Sequence, residues 1–301
     1  DIVEDGLGFG GSSLEFRETS TVSTGAGPSA TAWISDTEVW VHSRFDRSLA
    51  ELGLERASGA LGITGGLAGV GSSVPAHSAI EFAPASLPAD IAAGRDLFYA
   101  SDDSRMAAGG SAVSCATCHF DGRTDGLTWP FTDSHELQTP SLAGVVSMTA
   151  PVTWTDDVES VEHEVVITSQ GRMGGQGLEA NEAELVAAFI DWTPEPDVPL
   201  AGSDSEAIAR GQLIFEREDV GCAGCHSGAA YTDNEAYDML GLDSVRTRGL
   251  VGIAASAPYF HDGSAPSMRA VLERVRDGSM GDTSMLDGQQ LADLETFVLS
   301  L

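Results

Sequence analysis

At 301 residues with 42% hydrophobic content, the chain has room for two or three small domains with proper cores. Its formal net charge is −31, and all 15 basic residues are Arg, with no Lys; this surface excludes nucleic acid and anionic lipid and favours a basic partner. No apolar run approaches the ~20 residues of a membrane span, and no secretory leader is visible.

Residues 1–85 are rich in Gly, Ser and Thr, and "TAWIS" (31–35) and "EVWVHSRF" (38–45) alternate as strands do. "GALGITGGLAGVGSS" (59–73) is too long for a hairpin turn and reads as a glycine-rich loop. Glycines at 6, 8 and 10 lack the strand-turn-helix setting that a phosphate loop requires.

Beyond residue 85 one unit is written twice. Each copy opens with a Gly-x-x-x-Phe step, Gly94 to Phe98 and Gly211 to Phe215, which on a helix lets a second helix approach beside an aromatic. Next comes "SCATCHFDG" (114–122) in the first copy and "GCAGCHSG" (221–228) in the second, and these hold all four cysteines of the chain. A tetrahedral zinc site does not need a histidine directly after each second cysteine. A thioredoxin-like pair would sit once, after a strand, in a βαβ setting. C-x-x-C-H is the pattern of covalent c-type haem: two thiols add to the vinyl groups of one porphyrin and the next histidine reaches the iron. Two haems are therefore expected, on Cys115, Cys118 and His119 and on Cys222, Cys225 and His226. Such haem is attached outside the bacterial cytoplasm, so the chain reads as the mature form of an exported protein, in the periplasm or at the cell surface.

His119 lies 32 residues before Pro151, and His226 lies 32 residues before Pro258. The intervening segments end in "TPSLAGVVSMTAPVTW" (139–154) and "TRGLVGIAASAPYFH" (247–261). Each copy closes with an amphipathic helix: Leu185, Ala188, Phe189 and Trp192 behind an Asn181 cap, and Leu291, Leu294, Val298 and Leu301 started near Asp287. "TPEPDVPLAGSDSE" (193–206) reads as a linker. The expected fold is mainly α: two tandem cytochrome c-like haem domains, 86–193 and 205–301, behind a small β-rich segment, 1–85.

Residues 90–301 resemble the bacterial diheme cytochrome c peroxidases and MauG. The likeness rests on both C-x-x-C-H motifs, on the 139–154 segment and on "SAPYFHDGSAPSM" (256–268). Residues 31–56 resemble one blade of the β-propellers sometimes fused to such modules. The resemblance implies that the first haem meets peroxide and the second stores and relays an electron. It implies His135, sixteen residues after His119, as a removable distal ligand. Trp154 falls where the family has a tryptophan between the haems. Glu164, ten residues on, falls where a group that takes and returns a proton is needed, with Glu159, Glu162 and His163 as rivals. For the second iron the family position falls on Val275, which cannot bind iron; Met280 is the expected thioether ligand, with Met285 in reserve, while Met268 reads as core. No tyrosine between 260 and 301 offers the ligation of MauG, and His261 is expected to buttress the second haem edge or a propionate. Gln138, Ser256 and Pro258 stand at the positions of the family's Ca²⁺ site.

The leading reading is an exported diheme oxidoreductase that reduces hydrogen peroxide with electrons from a small redox protein, or turns that oxidising power on a protein substrate. A diheme electron carrier without peroxide chemistry is the second reading, and a surface binding or structural module the third.

Overall fold

The computed structural model describes residues 2–4, 14–16, 26–35, 38–53, 78–81, 87–109, 111–130, 136–144, 146–154, 158–195, 204–278 and 280–301. They fall into two compact units, 1–87 and 88–301.

In the first unit, β1 (Ile2–Glu4) pairs antiparallel with β2 (Leu14–Phe16). A four-stranded antiparallel meander follows, β3 (Pro28–Ser35), β4 (Glu38–Ser43), β5 (Ser48–Gly53) and β6 (Ser78–Glu81). The alternation in "EVWVHSRF" turns Val39 and Val41 onto Leu52 in a small core. β3 is exposed along its whole length, Trp33 and Ile34 included. The glycine-rich loop at 59–73 and the glycines at 6, 8 and 10 lie outside the described residues.

The second unit holds the duplication. Helix α1 (Ala89–Phe98) precedes the short α2 (Cys115–Cys118), the two-residue strands β7 (Thr128–Trp129) and β8 (Leu137–Gln138), then α3 (Val161–Ile167) and α4 (Ala180–Trp192). The second copy runs α5 (Ser205–Phe215), the hairpin β9 (Ala236–Met239) and β10 (Leu242–Arg246), α6 (Met268–Arg274) and α7 (Gly288–Val298). Each copy builds its own core: one around Phe98, Met106, Val165 and Val186, the other around Phe215, Leu272, Leu294 and Phe297.

The Gly-x-x-x-Phe steps explain the helix pairs α1–α4 and α5–α7. A methyl group on Gly94 would sit 1.9 Å from the Leu185 carbonyl oxygen, and one on Gly211 2.0 Å from that of Asp293. The aromatics then meet edge-on: Phe98 and Phe189 at 5.3 Å, Phe215 and Phe297 also at 5.3 Å. In the second copy the crossing is locked by Asp293, a buried carboxylate that accepts from Arg210 Nε (2.8 Å) and Nη2 (3.0 Å). That fork, against burial, holds the carboxyl below the usual range. We expect Gly211→Ala to cost at least the ~3 kcal/mol at the top of the overpacking range, because the neighbour is backbone and cannot step aside. A urea titration checks this: a midpoint within error of the parent would show that the helices do not meet at Gly211.

The helix periods expected from sequence are present, with two differences. α4 is capped by Glu179 rather than Asn181, in a reciprocal arrangement with Glu182. Its most buried residues are Ala183, Val186, Ala187 and Ile190, and Trp192 is exposed. The helix is sandwiched: Leu185 and Phe189 meet α1, while the opposite stripe meets the core with α3. α7 starts at its Asp287 cap and buries Leu291, Leu294 and Val298 as its spacing implies, and Phe297 as well, while Leu301 lies beyond the end of the helix and is half-buried.

Candidate functional site

Both C-x-x-C-H motifs lie on tight turns that present their histidines in the same way. In the first copy Thr117 accepts from the Ser114 backbone N–H at 3.0 Å, fixing the α2 turn. His119 then points Nδ1 at the carbonyl oxygens of Pro140 (3.0 Å) and Arg123 (3.1 Å). In the second copy Nδ1 of His226 faces the Tyr231 carbonyl at 3.0 Å. With only acceptors around it, Nδ1 carries the proton in each ring, and Nε2 is left with its lone pair for a metal. Burial lowers the proton affinity of both rings, which favours the neutral, ligating form.

The thiols fit attachment rather than redox or zinc chemistry. Burial pushes Cys115 up to about 12 and Cys222 up to about 11, whereas a reactive dithiol needs a lowered value. All four cysteines are free, and no group of three or more His, Cys, Asp or Glu residues is placed to hold a metal ion among the described residues.

Beside the second motif opens a cavity of about 470 Å³, bounded by Cys222, Cys225, His226, Phe260, Leu272 and Met280. Its size and largely apolar wall suit a porphyrin, and a c-type haem would be held there by Cys222, Cys225 and His226. Met280 is half-buried at this wall, Met268 and Val275 also line it and are buried, and Met285 is 81% exposed. Met268, expected as plain core, therefore reaches the cavity as well as the core.

The cavity extends to a cluster joining the two copies: Gln138, Trp154 and Arg248. The Trp154 indole N–H donates to the Gln138 carbonyl at 2.8 Å, and the Arg248 guanidinium stands 5.4 Å from the ring centre. His261 is buried with its ring 6.5 Å from Trp154 and its carbonyl 2.5 Å from the Gln138 backbone nitrogen. It stands against the tryptophan, which itself lines the cavity.

Glu164 sits on α3 and is ion-paired with Arg172, which a π-type turn at Thr168–Arg172 brings back onto it. Its Oε1 also accepts from Thr168 at 3.1 Å, while Oε2 is buried with no partner. Of its rivals, Glu159 and His163 are exposed and Glu162 is half-buried. His135 lies outside the described residues.

The three residues expected at a calcium site are brought together. The Gln138 side chain donates its amide nitrogen to the carbonyls of Pro258 (3.0 Å) and Ser256 (3.4 Å). The amide and the two carbonyls therefore converge on one point, as the sequence expectation requires of these three residues. In this structure the three residues meet directly, through the Gln138 side chain.

Paired C-x-x-C-H turns, carbonyl-held histidines and an apolar cavity define a c-type cytochrome. A family model described as RoxA-like, cytochrome c-like, matches residues 246–277. The chain is 28% identical to the hydrazine synthase subunit gamma of Kuenenia stuttgartiensis over 63% of its own length and 72% of that protein. It is 23% identical to the methylamine utilization protein MauG of Methylophilus methylotrophus over 69% of itself and 81% of that relative. The solved structure of K. stuttgartiensis hydrazine synthase superposes with a TM-score of 0.55 at 22% identity, covering 72% of this chain and 89% of that one. Over about two thirds of its length the chain is thus similar to MauG and to the hydrazine synthase gamma subunit, and the matched family model is that of a cytochrome c-like domain.

Sequence reasoning missed two arginines. Arg172 reaches Glu164 from eight residues away, outside the i+3 and i+4 spacings that flag helical pairs. Arg248 lies in "TRGLVG" with no motif to mark it, and its half-buried place depends on contacts distant in sequence.

Proposed function

We propose that the chain carries two covalent haems c, in domains 86–193 and 205–301, and works outside the cytoplasm as a peroxidase-type oxidoreductase. The observation that carries this reading is the repetition of the haem turn: His119 and His226 are each held through Nδ1 by a backbone carbonyl. Trp154 lies in the cluster that joins the copies. When bound, the haems supply the iron chemistry of peroxide reduction and electron storage. The protein's own part is to position and to move protons. Glu164 Oε1 is anchored by Arg172 and Thr168, which leaves buried Oε2 as the atom to take and return a proton at the first haem. Trp154, fixed through its N–H, is the relay. His135 remains the candidate distal ligand of the first iron. A net charge of −31 favours a small basic redox protein as electron donor, with peroxide or a protein partner as acceptor. The β3–β6 meander has the four strands of a single propeller blade, and we read it as one.

Met280 is proposed as the thioether ligand of the second iron. Met280→Ala is then expected to abolish thioether-to-iron absorption and to lower the potential of that haem alone, with Met285→Ala unchanged. The same loss in Met268→Ala, with Met280→Ala silent, would move the ligand to α6. Denatured, acid-extracted chain should keep two haems by mass; one haem, or zinc instead, would overturn the proposal.

A further inference from the structure

Arg248 is a cation that no carboxylate pairs with among the described residues. Its Nη1 donates to the Val152 carbonyl at 2.9 Å, its guanidinium faces the Trp154 ring, and it lines the cavity. Burial alone pushes it down to about 10. Other arginines of this acidic chain are matched: Arg95 with Asp96, Arg105 with Asp103 and Glu182, Arg172 with Glu164, Arg210 with Asp293, Arg217 with Asp219 and Arg269 with Glu295. A half-buried charge without a partner is costly, and a guanidinium has five N–H donors in a fork that matches a carboxylate. Arg248 also stands near both metal-ligating turns. Its charge is felt by His119, and its main chain reaches the His226 ring.

We propose that Arg248 anchors a propionate of the haem bound at Cys222 and Cys225, holding that carboxylate beside Trp154 between the two haem turns. This rests on the two-haem reading above. The carboxylate supplies the missing counter-charge, and the N–H groups not used by Val152 supply the bonds. Arg248 is thus a positioning residue: it fixes the porphyrin edge against the relay tryptophan and keeps the propionate ionised.

The test is spectroelectrochemical titration of the full-length holoprotein, Arg248→Met and Arg248→Lys, from about pH 5 to 9. A cation beside the haem favours its reduced form. In Arg248→Met one of the two waves should therefore show a roughly tenfold lower ratio of reduced to oxidised haem at fixed potential. That wave should also gain a pH dependence that the parent lacks, because the freed propionate now titrates. Arg248→Lys, which keeps the charge but not the fork, should recover most of the shift. A purely structural role for Arg248 would not add a proton to the redox step. If Arg248→Met does not fold, resonance Raman of Arg248→Lys still reads the propionate bending mode, which must move. Two unshifted, pH-independent waves in Arg248→Met, or an unmoved mode in Arg248→Lys, overturn the proposal. A colourless parent protein overturns instead the haem reading on which it stands.

Discussion

The double variant Cys222→Ala, Cys225→Ala is expected to lose the fold of residues 205–301, not only its colour. The cavity beside this motif measures about 470 Å³, and at ~24 cal/mol per Å³ leaving it empty would cost on the order of 10 kcal/mol. A domain of this size has about 5–15 kcal/mol of stability in total. Water entering the cavity would relieve part of that cost but wet a wall built from Phe260, Leu272 and Val275. The Arg210–Asp293 pair and the α5–α7 crossing cannot offset such a loss. Far-ultraviolet circular dichroism should lose the contribution of α5, α6 and α7, and limited proteolysis should degrade 205–301 while sparing 88–195. A variant that is bleached yet keeps the parent's helix signal and protease resistance would show that the cavity is not a haem-filled core.

Peroxide chemistry should separate Glu164 from Trp154. Glu164 Oε2 is buried and unpartnered while Oε1 is pinned by Arg172 and Thr168, so removing the carboxylate removes a proton acceptor without emptying the site. Glu164→Gln is expected to slow the reaction with peroxide by ~10²–10⁴-fold, the usual worth of general acid–base help, while electron exchange between the haems persists. Trp154→Phe keeps an aromatic of similar shape but loses the 2.8 Å bond to Gln138 and the larger π system under Arg248. There the first encounter with peroxide should be intact and the oxidation of the second haem delayed. Stopped-flow absorbance at wavelengths that resolve the two haems reads both steps. Equal slowing of both steps in both variants would mean that neither residue has the separate role assigned to it.

Much of the second unit was legible because duplication doubles every signal. The haem turns, the two Gly-x-x-x-Phe crossings and the Asp287 cap each follow from spacing and backbone sterics, and each recurs or is local. What stayed hidden depends on contacts distant in sequence. Which stripe of α4 faces the core depends on α1 and α3 clasping it from two sides, and periodicity gives the repeat of a helix but not its rotation. Arg248 meets Val152 across 96 residues, and the Gln138 amide meets Ser256 and Pro258 across 118 and 120. His261 is in the expected segment, and the Gln138 main chain draws it against Trp154.

The central claim is that the chain couples peroxide at one haem to an electron stored at the other. The most direct test is the absorbance of the one-electron-reduced holoprotein before and after one equivalent of hydrogen peroxide. The account predicts a high-spin ferric signal beforehand, then rapid change at the first haem with loss of the ferrous spectrum of the second in the same mixing experiment. Two permanently six-coordinate haems that show no reaction with peroxide would contradict it and leave the electron-carrier reading in its place.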